Sequence, residues 1–447
     1  MALKYRRLLF AFFTLLFCLL VPIVLLYATG HTINWQRLSL EKTATLLIDS
    51  DPSEAAVFIN GKPATSSLLD IFRPQPVLTQ ARIKDLAPGE YVVRLERYGS
   101  LAWEERIHLS PGEALNLGTI KLFAQSKPEL VKEGIAIERV ASPRGSYVAL
   151  LYKQSLAIVD TGDGHINSIP LLTPISRGEL IWAPDESAIF VDSNLLVLQN
   201  KNFRPITDEK QKALSGIHWN KLDSNLIYGF SSNTILAQTV INAQKSTYVI
   251  SEITADEAIE DFQVYREQTY IIVRKNNGSE KLLVGSLGRS FESIDLPLGQ
   301  YHFILEESNR PVIYNGRTMF VIDKPLPLFP KPRLIEVSGR FAVGRWMDQS
   351  ILYATPLELR RWEGEDQDNL LSRFGSPVTA LWPLNDGKTV IISLADDIRA
   401  FTQGREAFTI SLAPIKNTSA LAVSQNQKTI YAYGQFEGKE GLFRLAF

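Results

Sequence analysis

The hydrophobic pattern changes period along the chain. From Leu8 to Tyr27 twenty residues pass without a charge, which at about 1.5 Å per residue matches the ~30 Å hydrocarbon core of a bilayer. Lys4, Arg6 and Arg7 precede this run, so the positive-inside rule predicts a cytoplasmic N-terminus and export of the remainder. A signal peptide cleaved near Ala28-Thr29-Gly30 and a buried helix of a soluble domain are the competing readings. After Thr43 the period falls to two. Leu46 and Ile48 alternate before a turn at Asp51-Pro52, and Val57 and Ile59 alternate before Asn60-Gly61, a pair that accepts the positive φ of a tight hairpin. Pro88-Gly89 predicts a turn that brings its two flanking strands into register. The strand after it places Tyr91, Val93 and Leu95 on one face and Val92, Arg94 and Glu96 on the other. Ile107 and Leu109, then Leu115 and Leu117, repeat the alternation, giving a compact all-β module.

This module resembles the PEGA domain family over residues 45–123. The resemblance rests on "LLIDSDP", the "AAVFINGK" hairpin, "LAPGEYVVRLERYG", Trp103 and the closing "LSPGEALNLGTIKL". Two departures stand out: Glu54 occupies a position that is usually glycine, and "PATSSLLDIFRPQPVLTQ" replaces a shorter link. The resemblance implies a small β-sandwich, typically a non-catalytic module of bacterial envelope and surface proteins.

The remaining two thirds of the chain repeats. Eight pairs of short strands succeed one another, from "YVALLY" with "SLAIVD" to "TIYAY" with "GLFRLAF", at a period of about 40 residues, the mark of a propeller or solenoid. Related lead-ins precede several pairs, among them "ASPRGS", "WAPDES", "WNKLDS", "WMDQS" and "WPLNDG". They resemble the "SPDG" blades of TolB-like and WD-repeat β-propellers over about residues 128–447. Eight pairs imply eight blades, with a seven-bladed ring or a linear solenoid as competitors. The terminal "LFRLAF" lacks an outer partner and "PELVKEG" (residues 128–134) lacks a blade, so the latter is expected to complete the last blade and close the ring.

Composition adds constraints. The formal net charge is −1 and no basic stripe occurs, which gives no reason to expect nucleic acid. Cys18, the one cysteine, excludes an intramolecular disulfide. His31, His108, His165, His218 and His302 show no metal-ligand spacing. No serine-hydrolase elbow, phosphate loop or kinase signature is present. The acidic pairs Asp49/Asp51, Asp185/Glu186 and Asp396/Asp397 read as turn acids bonded to their own backbone. Trp182, Trp219, Trp346 and Trp382 recur at one place in the repeat and read as packing between blades. Trp35 suits a membrane interface, and Trp362, beside Arg360 and Arg361, reads as exposed.

The expected chain is therefore mainly β. It comprises a cytoplasmic stub and transmembrane signal-anchor helix (1–30), a connector (31–44), a PEGA-like β-sandwich (45–123) and a β-propeller (124–447). It is expected to be a single-pass cell-membrane protein with its bulk extracytoplasmic, acting as a non-catalytic binding or scaffold protein for an unknown envelope protein or polysaccharide. No catalytic, cofactor or metal residues are assigned and the binding residues are unknown. An envelope sensory or assembly component, and a propeller enzyme with its site in the channel, are the alternatives.

Overall fold

The computed structural model describes the chain from Leu3 to Phe447, apart from residues 29, 35–38, 66–75, 172–173, 176–177, 192–193, 200–201, 206–213, 241–245, 255, 266–267, 287–290, 306–309, 324–332, 338, 348, 365–366 and 404–407. Two compact units emerge, residues 1–126 with Phe447 and residues 127–446.

The first unit begins with the helix Leu3–Ala28. The membrane-span expectation is corrected here: among the described residues no helix is long and apolar enough to cross a membrane. The single-pass cell-membrane location, its transmembrane signal anchor and its membrane partner are withdrawn with it. Trp35 lies outside the described residues, as does most of the proline-containing excursion after Lys62. The expected connector is also more ordered than its sequence implies, since His31–Asn34 pairs with Ser39–Lys42.

Residues 44–121 form a three-stranded and a four-stranded sheet. The strand Ala44–Asp51 lies between Ala81–Leu86, antiparallel, and Ala114–Lys121, parallel. The second sheet orders Lys62–Pro63, Ala56–Ile59, Gly89–Glu96 and Trp103–Leu109. Alternation buries Leu46, Ile48, Val57, Val93, Leu95, Ile107 and Leu109, while Arg94 is exposed. Pro88-Gly89 does not close a hairpin, contrary to expectation. The strands on its two sides belong to different sheets, so it carries the chain from one sheet to the other. Asn60 and Gly61, with φ of 50° and 74°, form the expected tight turn.

Glu54 adopts φ 66°, the left-handed region that glycine favours. The turn therefore survives the loss of glycine with an exposed side chain in a strained conformation. Glu54→Gly is expected to stabilise the protein by about 1 kcal/mol, read as a raised urea midpoint. An unchanged or lowered midpoint would show that Glu54 carries no strain.

The second unit holds eight four-stranded antiparallel sheets among its described residues. In chain order they are blade 1 (138–170), blade 2 (180–205), blade 3 (215–252), blade 4 (257–295), blade 5 (302–337), blade 6 (343–373), blade 7 (378–413) and blade 8 (416–446). In blades 1 to 7 all four strands follow in sequence order. Blade 8 takes its outermost strand, Glu129–Glu133, from the start of the unit, so the ring closes as the unpaired terminal strand implied.

The uninterrupted apolar second strands follow from this arrangement. In Tyr147–Leu151, Val148 and Leu150 pack with Ala420, Ala422 and Tyr433 of blade 8. Ala149 and Leu151 point the other way, to Trp182, Ile189 and Val191 of blade 2. A strand with a neighbour blade on each side must be apolar on both faces, the condition otherwise met by fully covered sheets. Tyr270 and Ile272 likewise face blade 5 while Ile271 and Val273 face blade 3.

Burial raises the ionisation point of several blade tyrosines, Tyr152 to about 12 and Tyr270 further still. Their neutral phenols are favoured in the fold, whereas the unfolded chain ionises near the ordinary value of 10.0. Stability is thus intact below pH 10 and falls as pH rises through the folded values. Tyr270 is fully buried and its hydroxyl has no hydrogen-bond partner among the described residues. Tyr270→Phe is expected to cost little at pH 8 and to reduce the loss of stability above pH 10 by about 1.4 kcal/mol per pH unit. Urea midpoints at pH 8 and pH 11 test this. Parallel pH profiles for the two proteins would refute it.

Candidate functional site

Where the innermost strands hand over to the second strands, a cavity of about 550 Å³ opens. Its lining comes from seven of the eight blades, from the innermost strands or just past their ends, so it is one mouth of the ring's central channel. Arg139, Lys221 and Arg345 contribute positive charge, and the described lining contains no Asp, Glu, His or Cys. Trp182, Trp346 and Trp382 supply indole surface.

The four repeated tryptophans divide into two pairs. Trp182 and Trp219 are seam residues as expected, 7% and 4% exposed. Their indole N–H groups donate to the carbonyls of Val140 and Ile181, each on the innermost strand of the preceding blade, at 3.4 and 3.2 Å. Trp182 also stacks on Tyr147, with ring centroids 5.8 Å apart. Trp346 and Trp382 are only half-buried and break this rule. The Trp346 N–H is inaccessible and has no acceptor among the described residues. Trp382 carries the Arg345 guanidinium on its face, 4.1 Å from the ring centroid, where the ring quadrupole attracts the cation.

Arg345 also reaches past blades 7 and 8 to donate from Nη2 to the Pro143 carbonyl of blade 1. The turn that presents this carbonyl is held from several sides. Glu186 of blade 2, 5% exposed and at φ 65°, accepts from the Ser142 hydroxyl at 2.5 Å and the Arg144 N–H at 2.7 Å. Thr161 donates to the Gly145 carbonyl at 2.5 Å, and Gln425 of blade 8 donates to the Ser146 hydroxyl at 2.6 Å. Gly145 sits at φ 79° beneath Trp382 and the Val423 carbonyl.

Of the acidic pairs, Asp185 fits its reading: its carboxylate takes the Ser187 N–H and hydroxyl, and these bonds hold its pKa below the usual carboxylate range despite partial burial. Glu186 does not, because its acceptors serve the turn of the preceding blade. Asp397 is paired with Arg399 at 2.8 Å. The histidines are scattered: His108 meets Glu90 at 2.7 Å, His218 packs on Phe262, and His302 on Tyr314. Among the described residues no three His, Cys, Asp or Glu side chains gather as a metal site.

Trp362 corrects its sequence reading, being 2% exposed in the seam between blades 5 and 6. Arg360, two residues away and so on the same strand face, is neutralised by Glu358 and Asp368 at 2.9 and 3.2 Å, which leaves the indole free to pack inward. Sequence reasoning missed Arg345, Arg139, Lys221 and Glu186. For Arg345 a signal existed: strand alternation turns the residue before a seam tryptophan away from the seam, and that position reads Ile181, His218, Arg345 and Leu381.

No family model and no curated protein matches the chain. Among solved structures, the Dos1 propeller is similar at 10% identity and a TM-score of 0.46, over 72% of this chain and 95% of that one. The Cps50 (Swd1) β-propeller domain of Myceliophteria thermophila gives 10% and 0.39, over 71% and 99%. Porphyromonas gingivalis dipeptidyl peptidase 4 gives 8% and 0.44, over 68% and 56%. The ring is defined by its own strand pairing.

Proposed function

We propose that the chain is a non-catalytic binding or scaffold protein whose propeller holds a partner protein at this channel mouth. The observation that carries the reading is the lining itself: a concave site built from seven blades, whose described residues include arginine and indole side chains and no carboxylate, imidazole or thiol. Arginine and tryptophan are enriched where interfaces concentrate their binding energy. A site without an acid or base that titrates near neutral pH lacks the groups for proton transfer. The resemblance of the first unit to the PEGA family supports reading it as a spacer or adhesive module carried beside the propeller.

The test places a photo-crosslinking residue at Thr379 or Ser419, both exposed in the mouth, and at Asn277, exposed in a turn of blade 4. A discrete protein adduct is expected from the first two positions in the native cell and not from the third. Equal labelling from all three, or none from the mouth, would sink the reading.

A further inference from the structure

Independently of the channel mouth, we infer that the first unit carries a binding site of its own, a groove that takes a uronic-acid residue of an acidic polysaccharide. The groove, about 510 Å³, lies where the strand Gly89–Glu96 runs out into the turn 97–100, and Arg94, Glu96, Arg97, Tyr98, Ser100 and Gln125 supply its polar side chains. Arg97 is half-buried, and its Nε donates to the Ser53 carbonyl at 3.0 Å. That bond fixes the plane of the guanidinium, while both Nη groups have no partner among the described residues. Tyr98, next to it, is fully exposed. The turn that presents the two is tied down: the Ser100 N–H donates to the Arg97 carbonyl at 3.0 Å, and Gly99 takes φ 76°. The Gln125 and Leu101 N–H groups donate to the carbonyls of Gly99 and Phe123 at 2.8 and 2.7 Å. An aromatic ring held in water on an ordered turn contributes no packing to the fold, and its fixed display reduces the ordering that binding must otherwise overcome.

The chemistry of the lining selects the ligand. A guanidinium fork takes a carboxylate through two parallel N–H bonds. Arg94 is already engaged with Glu96 and Glu104, at 2.7 and 3.9 Å, which leaves Arg97 as one open cation in the groove. One open cation suits one carboxylate better than a phosphate dianion or a run of acidic side chains, and a nucleic acid calls for an extended basic surface. Ser100, Gln125 and the Glu96 carboxylate offer donors and acceptors to hydroxyl groups. Tyr98 adds an apolar ring face with a polar tip, which matches the C–H face of a pyranose. A ligand with one carboxylate, several hydroxyls and one apolar ring face is a uronic acid within a glycan. The volume lies within the range of small-ligand sites.

The experiment is calorimetry on the full chain with trigalacturonate, neutral galactotriose, capped triglutamate and inorganic phosphate. Trigalacturonate is expected to bind, to weaken with salt, and to exceed the other three. Arg97→Gln is expected to weaken it roughly tenfold to a hundredfold. Arg97→Lys, which keeps the charge but loses the fork, is expected to fall in between. Tyr98→Ala is expected to weaken it about twofold to tenfold. Because that ring is fully exposed, Tyr98→Ala should leave the thermal midpoint unchanged, and it tests the groove even if Arg97→Gln does not fold. Equal binding of galactotriose, tighter binding of triglutamate or phosphate, no binding of trigalacturonate, or indifference to either residue would each overturn the inference. The crosslink from Thr379 is read separately, so failure here leaves the partner-binding reading of the channel mouth standing.

Discussion

Deleting residues 128–133 is expected to lower the stability of the propeller by about 3–6 kcal/mol and to make it self-associate. The deleted strand, Glu129–Glu133, pairs with Lys439–Ala446 through four registered residue pairs, and net backbone hydrogen bonds contribute about 1 kcal/mol each. The Tyr433 hydroxyl, which donates to the Gly134 carbonyl or Glu440 and accepts from the Ala136 N–H at 2.9 Å, ties the residues just after this strand to blade 8. The bared edge of Lys439–Ala446 would then offer a row of unpaired groups to another chain. Gly441 fits this seal closely, since a Cβ there would overlap the Lys132 carbonyl. By contrast, Glu129→Ala, which removes only the partly exposed ion pair to Arg444 at 2.6 Å, is expected to cost less than about 1 kcal/mol. Urea midpoints and light scattering test both. A deletion variant that stays monomeric with the wild-type midpoint would show that the strand does not close the ring.

Gly145→Val is expected to cost about 2–5 kcal/mol. Two terms add: the left-handed φ of 79°, worth about 1–2 kcal/mol for a side chain, and overpacking, worth about 1–3. A Cβ at this position would overlap the Val423 carbonyl oxygen and lie 2.8 Å from Cζ2 of Trp382. Gly164 has the same φ, but its nearest neighbours lie 3.5 Å or more away. Gly164→Ala should therefore show the conformational term alone, about 1–2 kcal/mol. Equal losses at the two positions would show that the crowding under Trp382 is not real. Because the same turn presents the Pro143 carbonyl to Arg345, Gly145→Val is also expected to disturb the channel mouth, which Gly164→Ala is not.

The sequence carried the repeat far better than the site. "YVALLY", "SAIFVD" and "TVIISL" are apolar on both faces, and only stacking between two blades explains that, so blade number and order could be read directly. The closing strand was legible for a related reason, because "PELVKEG" reads as a strand that belongs to no blade of its own, and it pairs with Lys439–Ala446. Pro88-Gly89 misled because the same two residues serve a hairpin or a passage between sheets, and local φ preference does not say where the next strand pairs. The N-terminal run misled because freedom from charge is not by itself enough: among the described residues no helix is long and apolar enough to cross a membrane.

By itself, then, the sequence determined everything that depends on period: alternating strands, apolar blade interiors, the tryptophan rhythm and the need for a closing strand. The tertiary structure alone decided that Trp182 and Trp219 are sealed in the seams while Trp346 and Trp382 stay half-buried. It also decided that Glu186 serves a turn 40 or more residues before it, and that Arg345 reaches Pro143 across 202 residues. The reason is geometric. A period fixes the environment of each strand face, but the centre of a ring is assembled from one or two residues of each blade, and no local pattern records how those meet.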